Sequence, residues 1–454
     1  MEKGQESKSE SSRSDDDRES AAGEPSRIVA GFWEKAGAWA LPRDSRGEGY
    51  GPILRERWVE ISFCTLFVFA SSWGQTFLLS IFQPSWREEL SLSKGAMGAL
   101  YGGATLASGL LLPLAGRWLD RAPSDRAAAV TLAGLAIGGL IAAAASEVWM
   151  LALALFALRF FGQGLSANVG VTRAARWFEH NRGKAVSLAG LGFPLGEAVL
   201  PAVVTILIGV MGWRWAWVAL AGIAVAVLGP VAYALLRRRR AARGLSKPLP
   251  TRRTHDHGAR GSLMRDWRFY GMLAVTAPVP FVGTGVIFFQ GTIAADRGWP
   301  ASVFPTGFIL FAVIRALFSL SAGAWVDRVG SLRLLAAPTT LFALGLVLLT
   351  QPSPAFAFGF FALLGVGFGA ASGVMTTAWT DLFGAHRIGL VKSLSSSFAV
   401  ICAALAPIVF GYALDAGVSI ESILWICAAA MVAISWPMSV ILRRGSPAFV
   451  RCAS

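Results

Sequence analysis

Residues 116–121 form a short charged turn, Gly-Arg-Trp-Leu-Asp-Arg, between two apolar segments of the chain. A similar stretch, Gly-Ala-Trp-Val-Asp-Arg, occupies residues 323–328, and the step from 116 to 323 is 207 positions. The same step carries the Phe-Gln pair at 82–83 onto the Phe-Gln pair at 289–290. Because these matches keep one register, the chain is predicted to consist of two duplicated halves.

The composition indicates a membrane protein. Of the 454 residues, 54% are hydrophobic and 15% are charged, and the mean hydropathy is +0.56. A soluble protein carries about 25% charged residues. Here apolar runs of about 20 residues alternate with short charged or Gly/Pro breaks, and runs of that length cross a hydrocarbon layer of about 30 Å. We therefore predict an all-α polytopic membrane protein.

Twelve apolar segments are predicted to cross the membrane. They cover approximately residues 58–83, 96–118, 127–146, 148–170, 184–209, 213–236, 269–293, 302–325, 332–351, 354–380, 388–414 and 420–442. The polar N-terminal stretch lacks periodicity and is expected to be disordered, and no apolar segment typical of a cleaved signal peptide follows the first methionine. The predicted organisation is a tail over 1–57, a bundle over 58–236, a basic linker over 237–268, a second bundle over 269–442 and a tail over 443–454.

The positions of the basic residues predict the orientation of the chain. The loops on one side of the membrane hold four basic residues and the spans hold two, which leaves 35 of the 41 Lys and Arg residues on the other side. Loops rich in Lys and Arg stay in the cytoplasm. Both termini are therefore expected on the cytoplasmic side of a plasma or inner membrane. The net charge of +14 follows from this topology, so no nucleic-acid partner is expected.

The predicted linker is the most basic internal loop, and it begins with four arginines at positions 237–240. A basic segment next to a membrane attracts anionic lipid headgroups. A second interpretation is that the linker only fixes the topology and joins the two halves. The two interpretations are compatible with each other.

These features resemble the major facilitator superfamily, in which a long cytoplasmic linker joins two groups of six spans. In that family the loop after span two reads roughly Gly-x-x-x-Asp-Arg/Lys-x-Gly-Arg/Lys-Arg/Lys. The matching residues are Gly116, Asp120 and Arg121 in the first copy, and Gly323, Asp327 and Arg328 in the second. Pro123 replaces the second glycine of the first copy. The resemblance covers about residues 58–442 and implies twelve transmembrane helices in two pseudo-symmetric six-helix bundles.

The residues of these charged turns are expected to take part in gating. A carboxylate at the end of one helix can cap the positive N-terminus of a helix from the opposite half. Asp120 is expected to face the start of span eleven near Arg387, and Asp327 the start of span five near Arg182. Contacts that exist in only one state bias a two-state equilibrium. The other interpretation is that these charges merely fix the topology.

Three charged residues are predicted to lie deep in the membrane: Arg159 in span four, Glu197 in span five and Arg315 in span eight. An ionised side chain at that depth costs at least ~2.5–3.5 kcal/mol, so each should face the bundle interior and have a partner. Glu197 and Arg159 are expected at similar depths and could pair. Glu197 is then either a structural partner or a proton-coupling residue that responds when substrate competes for Arg159.

Polar residues near these arginines are predicted to line a substrate site. Gln163 and Ser166 follow Arg159 at helical spacing, and Ser319 follows Arg315 by one turn. In the family that the chain resembles, spans one, four, seven and ten line a central cavity. The predicted substrate-binding residues are Arg159, Arg315, Gln163, Gln83, Thr76, Gln290 and Ser319.

The expected substrate is a small organic anion. A guanidinium stays charged and binds a carboxylate through two hydrogen bonds. An arginine in span eight is also a feature of the monocarboxylate and oxalate/formate branch of the superfamily. Two positions depart from that branch: Phe311 stands where eukaryotic monocarboxylate members carry an aspartate, and Lys392 is too shallow to match the lysine of oxalate exchangers. We expect a secondary transporter, in particular for a monocarboxylate, that uses alternating access with proton symport or anion exchange.

An alternative is a proton-coupled efflux antiporter for drugs and other hydrophobic solutes. The 29 Phe, 17 Trp and 9 Met residues suit that function, and residues 192–196 read Gly-Phe-Pro-Leu-Gly, a partial match to the antiporter Gly-Pro motif. A membrane enzyme or a receptor finds little support, since the sequence shows no nucleotide-binding glycine loop and no Cys/His metal spacing. We expect a monomer without cofactor or metal, whose partners are the anionic solute, protons or a counter-anion, and lipid.

Overall fold

The structure is a computed structural model. It describes residues 50–178, 181–243, 263–384 and 387–444. Most of the predicted N-terminal tail, the middle of the predicted linker and most of the C-terminal tail lie outside these residues. One short helix, Gly51–Glu56, falls within the segment expected to be disordered, so that prediction is wrong for these residues.

The first six spans are long helices. They are Trp58–Glu89, Lys94–Arg121, Ser124–Ala144, Val148–Trp177 and the stretch Arg182–Ala242, which holds spans five and six. This last stretch is broken at Gly212, where φ is 77°. A positive φ of this size is accessible to glycine at little cost because it has no Cβ. The turn at Gly212 therefore separates span five from span six.

The last six spans follow the same alternation. Span seven runs through the helices Trp267–Thr276, Pro278–Phe288 and Gln290–Asp296, and the others are Val303–Val329, Ala337–Leu349, Ala355–Phe383, Ile388–Asp415 and Ile420–Arg444. Within the described ranges, nine helices are long and apolar enough to cross a membrane, and two shorter apolar helices lie in spans eight and nine. The predicted all-α polytopic fold is confirmed. We call the end where spans six and seven are connected the linker end, and the opposite end the far end.

Each half has one ion pair at the far end, and the two ion pairs connect corresponding spans. Arg214, at the start of span six, donates to Glu89 at the end of span one with an N–O distance of 3.0 Å. Arg297, at the end of span seven, donates to Glu421 at the start of span twelve at 3.1 Å. Arg214 and Glu421 are separated by the same 207 positions as the charged turns. In each half an ion pair thus connects the first span with the last span. The signs are exchanged, because the start of the last span carries an arginine in one half and a glutamate in the other.

Spans one and four are both irregular where they touch. Span one contains a 3₁₀ turn, Ser71–Gly74, and span four contains a π-helical segment, Leu158–Ser166. A Cβ on Gly162 would lie 2.6 Å from the backbone nitrogen of Gly74, so only glycine permits this approach. The Ser166 hydroxyl donates to the Phe67 carbonyl at 2.6 Å and satisfies a backbone group near the break. The two irregular segments therefore fit each other.

We predict that Gly162→Ala destabilises the protein, because the added methyl group would overlap the backbone of span one. Overpacking of this kind costs about 1–3 kcal/mol. The matched control is Gly103→Ala, since a Cβ at Gly103 meets nothing within 4 Å. The midpoint of thermal unfolding in detergent, followed by tryptophan fluorescence, should fall for Gly162→Ala and stay unchanged or rise slightly for Gly103→Ala. Equal midpoints for the two variants would contradict the close approach.

Candidate functional site

An ion pair joins the two halves near the middle of spans five and eight. Arg315 of span eight donates through Nη1 to both carboxylate oxygens of Glu197 in span five, with an N–Oε2 distance of 2.6 Å. The side chain of Arg315 is 24% exposed and that of Glu197 is 12% exposed. The Arg315 guanidinium also lies 5.6 Å from the ring of Phe311 and 5.9 Å from the ring of Phe368. The two charges are therefore partly dehydrated and neutralise each other.

This pairing corrects the sequence-based prediction that Glu197 pairs with Arg159. The guanidinium of Arg159 turns toward span one and donates to the carbonyl oxygen of Gly74 at 2.9 Å. That carbonyl is available because the helix of span one is interrupted there and its backbone oxygens lack their usual helical donors. The π-helical segment of span four also changes the direction in which Arg159 points, relative to a regular helix.

Arg159 is buried without a counter-charge in the described part of the chain. It is 2% exposed, no carboxylate lies within 4.0 Å of it there, and its Nε atom has no hydrogen-bond partner. Its guanidinium lies 4.9 Å from the ring of Tyr101 in span two. The Tyr101 hydroxyl in turn shares a 2.6 Å hydrogen bond with Thr76 of span one. Arg159, Tyr101 and Thr76 thus form one polar cluster in the first half.

Tyr101 was not among the residues that the sequence analysis selected. It lies in an apolar span, and a tyrosine hydroxyl in such a place needs a hydrogen-bond partner. This requirement could have identified Tyr101 from the sequence. Its ring also packs 4.5 Å from the ring of Phe288 in span seven, so the cluster around Arg159 borders the second half.

The two predicted glutamines lie nearer the far end than the arginine sites. Gln290 of span seven donates through Nε2 to the hydroxyl of Ser80 in span one at 2.7 Å. Gln83 is 1% exposed, and its Nε2 atom has no partner among the described residues. Gln163 is half-buried next to Arg159, and Ser319 is exposed. Of the predicted substrate-binding residues, the structure therefore joins only Arg159 and Thr76 in one cluster, through Tyr101.

Asp415 closes the far end, and sequence reasoning did not select it. Its carboxylate accepts hydrogen bonds from the backbone N–H groups of Lys94 at 3.0 Å and Gly95 at 2.7 Å. The end of span eleven thereby caps the N-terminus of span two, where the helix dipole favours a negative charge. A Cβ on Gly102 would lie 2.4 Å from the carbonyl oxygen of Ala404, so the two helices also touch closely below the cap. We call these contacts, together with the Gln290–Ser80 hydrogen bond, the far-end seal.

The predicted gating residues at the linker end are only partly described, and the two predicted charged turns are the last turns of the helices of spans two and eight. Asp120 accepts from the guanidinium of Arg176 in span four at 2.5 Å, which is a contact within the first half. Arg182 donates to the carbonyl of Ala175 at 3.1 Å. The side chain of Asp327 lies outside the described part of the chain. Of the other gating residues, Arg121 and Arg328 are exposed, Arg387 is half-buried, a Cβ on Gly116 would meet nothing within 4 Å, and the surroundings of Gly323 are not described.

A cavity of about 310 Å³ lies beside the far-end seal, between spans one, five, seven and eight. Its polar lining residues are Ser80, Thr205 and Gln290, and the remainder of its lining is apolar. No charged side chain lines it. An anion has no counter-charge there, so this cavity does not suit the anion-binding function that the sequence predicts.

The fold is similar to that of several solved structures. A bacterial homologue of the human lysosomal transporter Spinster, in an inward-facing and occupied conformation, superposes with a TM-score of 0.61 at 16% identity, covering 85% of this chain and 96% of that chain. The nucleoside transporter NupG superposes with a TM-score of 0.63 at 14% identity, covering 84% and 98%. No curated protein matches in sequence.

The family model named Major Facilitator Superfamily matches residues 63–292 and 272–450. These two matches cover most of the chain and include both halves of the fold described above. The structural relatives are too distant in sequence to add more than the fold itself. The chain therefore belongs to the Major Facilitator Superfamily of membrane transporters.

Proposed function

We propose that this protein is a secondary transporter for a small organic anion, in particular a monocarboxylate. The observation that supports this most directly is Arg159, a buried guanidinium with no carboxylate partner in the described part of the chain. A buried charge without a counter-ion is costly, and an anionic guest would relieve that cost. Its unpartnered Nε atom leaves one donor free for a carboxylate oxygen.

Glu197 is the proposed coupling residue. A carboxylate solute that binds Arg315 competes with Glu197 for the same guanidinium. Once displaced, Glu197 has lost its counter-charge, and a proton bound there would restore the balance of charge. Binding of the anion and of a proton would then be linked, which is the requirement for symport. Anion exchange remains the second coupling mode, in which a counter-anion rather than a proton accompanies the return step.

The far-end seal is the proposed outer gate. The linker end would face the cytoplasm, in agreement with the basic residues there, and the membrane would be the plasma or inner membrane. In the structure the halves are joined at the far end by Asp415 and Gln290. Alternating access requires these contacts to open while contacts at the linker end form. The charged turns at Asp120 and Asp327 are the proposed linker-end contacts of that other state.

Uptake into proteoliposomes containing only this protein tests the proposed function. The panel consists of labelled monocarboxylates, an uncharged nucleoside and a hydrophobic cation, each with and without an imposed pH gradient. A nucleoside is included because the structurally similar protein NupG is named as a nucleoside transporter. Uptake of monocarboxylates alone supports the proposal. Transport of the hydrophobic cation alone would instead support the efflux-antiporter alternative.

We predict that Arg159→Gln lowers carboxylate uptake at least about tenfold. The physical reason is the loss of a charge-assisted hydrogen bond, which contributes about 1.5–3 kcal/mol. Arg159→Lys keeps the charge but not the planar pair of donors, so its carboxylate uptake should fall less than that of Arg159→Gln. The control is Arg214→Gln, which removes a far-end arginine outside the proposed site. Initial uptake rates, normalised to the amount of reconstituted protein, should be highest for Arg214→Gln, lower for Arg159→Lys and lowest for Arg159→Gln. An uptake rate of Arg159→Gln equal to that of the wild type would refute the assignment of Arg159 to the substrate site.

A second prediction concerns proton coupling by Glu197. Glu197→Gln cannot exchange a proton, so an imposed pH gradient should no longer accelerate carboxylate uptake. Exchange of internal for external carboxylate, which needs no net proton movement, should continue. Both activities are measured in the same proteoliposomes. If the pH gradient accelerates the variant as much as the wild type, Glu197 is not the coupling residue.

A third prediction concerns the far-end seal. Asp415→Asn keeps one acceptor but removes the charge that caps span two, so the far end should open more often. A cysteine introduced at Ser80, which is 1% exposed, in a background with the native cysteines replaced, should react with an impermeant maleimide at least about tenfold faster. That factor corresponds to losing one charge-assisted hydrogen bond of about 1.5 kcal/mol. Asp296→Asn is the matched far-end control, and equal labelling rates in the two variants would exclude the gate.

A further inference from the structure

The cavity beside the far-end seal is separate from the proposed substrate site. It has a volume of about 310 Å³ and lies between spans one and five of the first half and spans seven and eight of the second. Arg159, Glu197 and Arg315 do not line it. Sites for small organic molecules in proteins range from about 300 to 1,000 Å³. The cavity is therefore large enough for a small organic ligand.

The walls of the cavity are mainly apolar. Ile81 and Pro84 of span one and Ile208 of span five form the side that belongs to the first half. Trp299 and Phe304 form part of the opposite side, and their ring centroids are 6.5 Å apart. Apolar surface gains free energy when it leaves water, so these walls favour an apolar guest.

The side-chain hydroxyl and indole donors that line the cavity already have acceptors elsewhere. The bonds that they make are Ser80 to the Phe77 carbonyl at 3.1 Å, Thr205 to the Pro201 carbonyl at 2.8 Å and Trp299 to the Pro352 carbonyl at 2.7 Å. A hydroxyl carries one proton and two lone pairs. With their protons used in this way, the hydroxyls of Ser80 and Thr205 can only accept hydrogen bonds from a guest.

Gln290 provides an acceptor that lacks a donor. Its side chain lines the cavity and the residue is 4% exposed. Its Nε2 atom lies 2.7 Å from the Ser80 hydroxyl and 3.4 Å from the Phe77 carbonyl, and both oxygens accept there, which fixes the orientation of the amide. The Oε1 atom has no hydrogen-bond partner in the described part of the chain. A buried acceptor without a donor is costly, and a guest that supplies a donor would remove that cost.

We propose that this cavity binds a small uncharged molecule with an apolar body and one hydroxyl group, such as an alkylphenol. The hydroxyl donates to Oε1 of Gln290, and the apolar body packs between Ile208 and the ring of Trp299. An exposed edge formed by Pro84, Ala295 and Ala301 gives the molecule a way in.

The chemistry of the lining excludes the other classes of ligand. An anion would find neither a counter-charge nor a free side-chain donor, and a cation would find no carboxylate. Aliphatic amines are charged at neutral pH. An amide would bring a carbonyl oxygen that finds no donor in the lining. A hydroxyl supplies the required donor without a charge.

The position of the cavity gives the bound molecule an effect on conformation. Both halves contribute walls, so separating them at the far end would remove part of the site. A ligand that binds one state better shifts the population toward that state. An alkylphenol should therefore hold the far end closed and slow transport without competing for Arg159. This effect depends on the proposed outer gate, whereas the binding itself does not.

Photolabelling of the full-length protein in nanodiscs tests the site. The probe is an alkylphenol that carries a diazirine, and the modified residues are located by mass spectrometry. Adducts should form within residues 205–208 and 291–305, and an excess of 4-butylphenol should prevent them. The methyl ether 4-butylanisole has the same apolar body but no donor. At equal concentrations in the bilayer it should protect about fivefold less well, the factor expected for one hydrogen bond between uncharged groups.

Three variants test the assignment of the acceptor. Gln290→Met keeps a similar side-chain size but lacks Oε1, so 4-butylphenol and 4-butylanisole should protect it equally. Gln351→Met is the matched control, since Gln351 lies at the far end but does not line the cavity, and it should keep the fivefold difference. Ala295→Phe places a ring at the exposed edge of the cavity and should lower labelling by both routes of measurement, total adducts and protectable adducts.

The results separate this proposal from the proposed transport function. Adducts confined to other parts of the protein would overturn the site, and so would equal protection of the wild type by the phenol and its ether. A fivefold difference that persists in Gln290→Met would overturn the role of Oε1. Labelling of this cavity in a protein that takes up no carboxylate would support the site while contradicting the transport proposal.

Discussion

The ion pair between Glu197 and Arg315 is the contact on which the arrangement of the two halves depends. Both charges lie at mid-span, where an unpaired ion is costly, and they belong to different halves. Spans five and eight must approach at that depth for both charges to be tolerated. A buried pair adds little net stability, yet removing one partner costs about 3–5 kcal/mol. Such a contact specifies an arrangement without making it permanent, which suits a transporter with two states.

The duplication that organises the fold does not extend to its central charges. The far-end ion pairs keep the 207-residue offset, since Arg214 corresponds to Glu421. The central charges have no charged counterparts at this offset. Arg159 corresponds to Val366 and Glu197 to Ala404. Arg315 corresponds to Ser108. The duplication therefore accounts for the frame of two halves, whereas the residues of the proposed substrate site are not repeated between the halves.

The fold was predictable from the sequence, but the pairing of the central charges was not. Hydropathy located the twelve spans, and two charged turns in one register indicated two halves. The partner of Glu197 depends on how each helix is rotated about its axis. The 3₁₀ turn at Ser71–Gly74 and the π-helical segment Leu158–Ser166 alter that rotation, and a 3.6-residue period cannot anticipate them. The cap provided by Asp415 was not predicted, because a single aspartate at the end of a span gives no periodic signal.

The far end combines favourable and unfavourable contacts. Asp415 makes two charge-assisted hydrogen bonds to the start of span two, and because its side chain is exposed, solvent screening reduces their contribution. Against these, Gln83 Nε2 and Gln290 Oε1 are buried without partners in the described part of the chain, at a cost of about 1–3 kcal/mol each. Opening would hydrate the glutamine atoms and release the cap. Because favourable and unfavourable contacts are combined there, the proposed opening of the far end would need only a modest difference in the affinity of the solute for the two states.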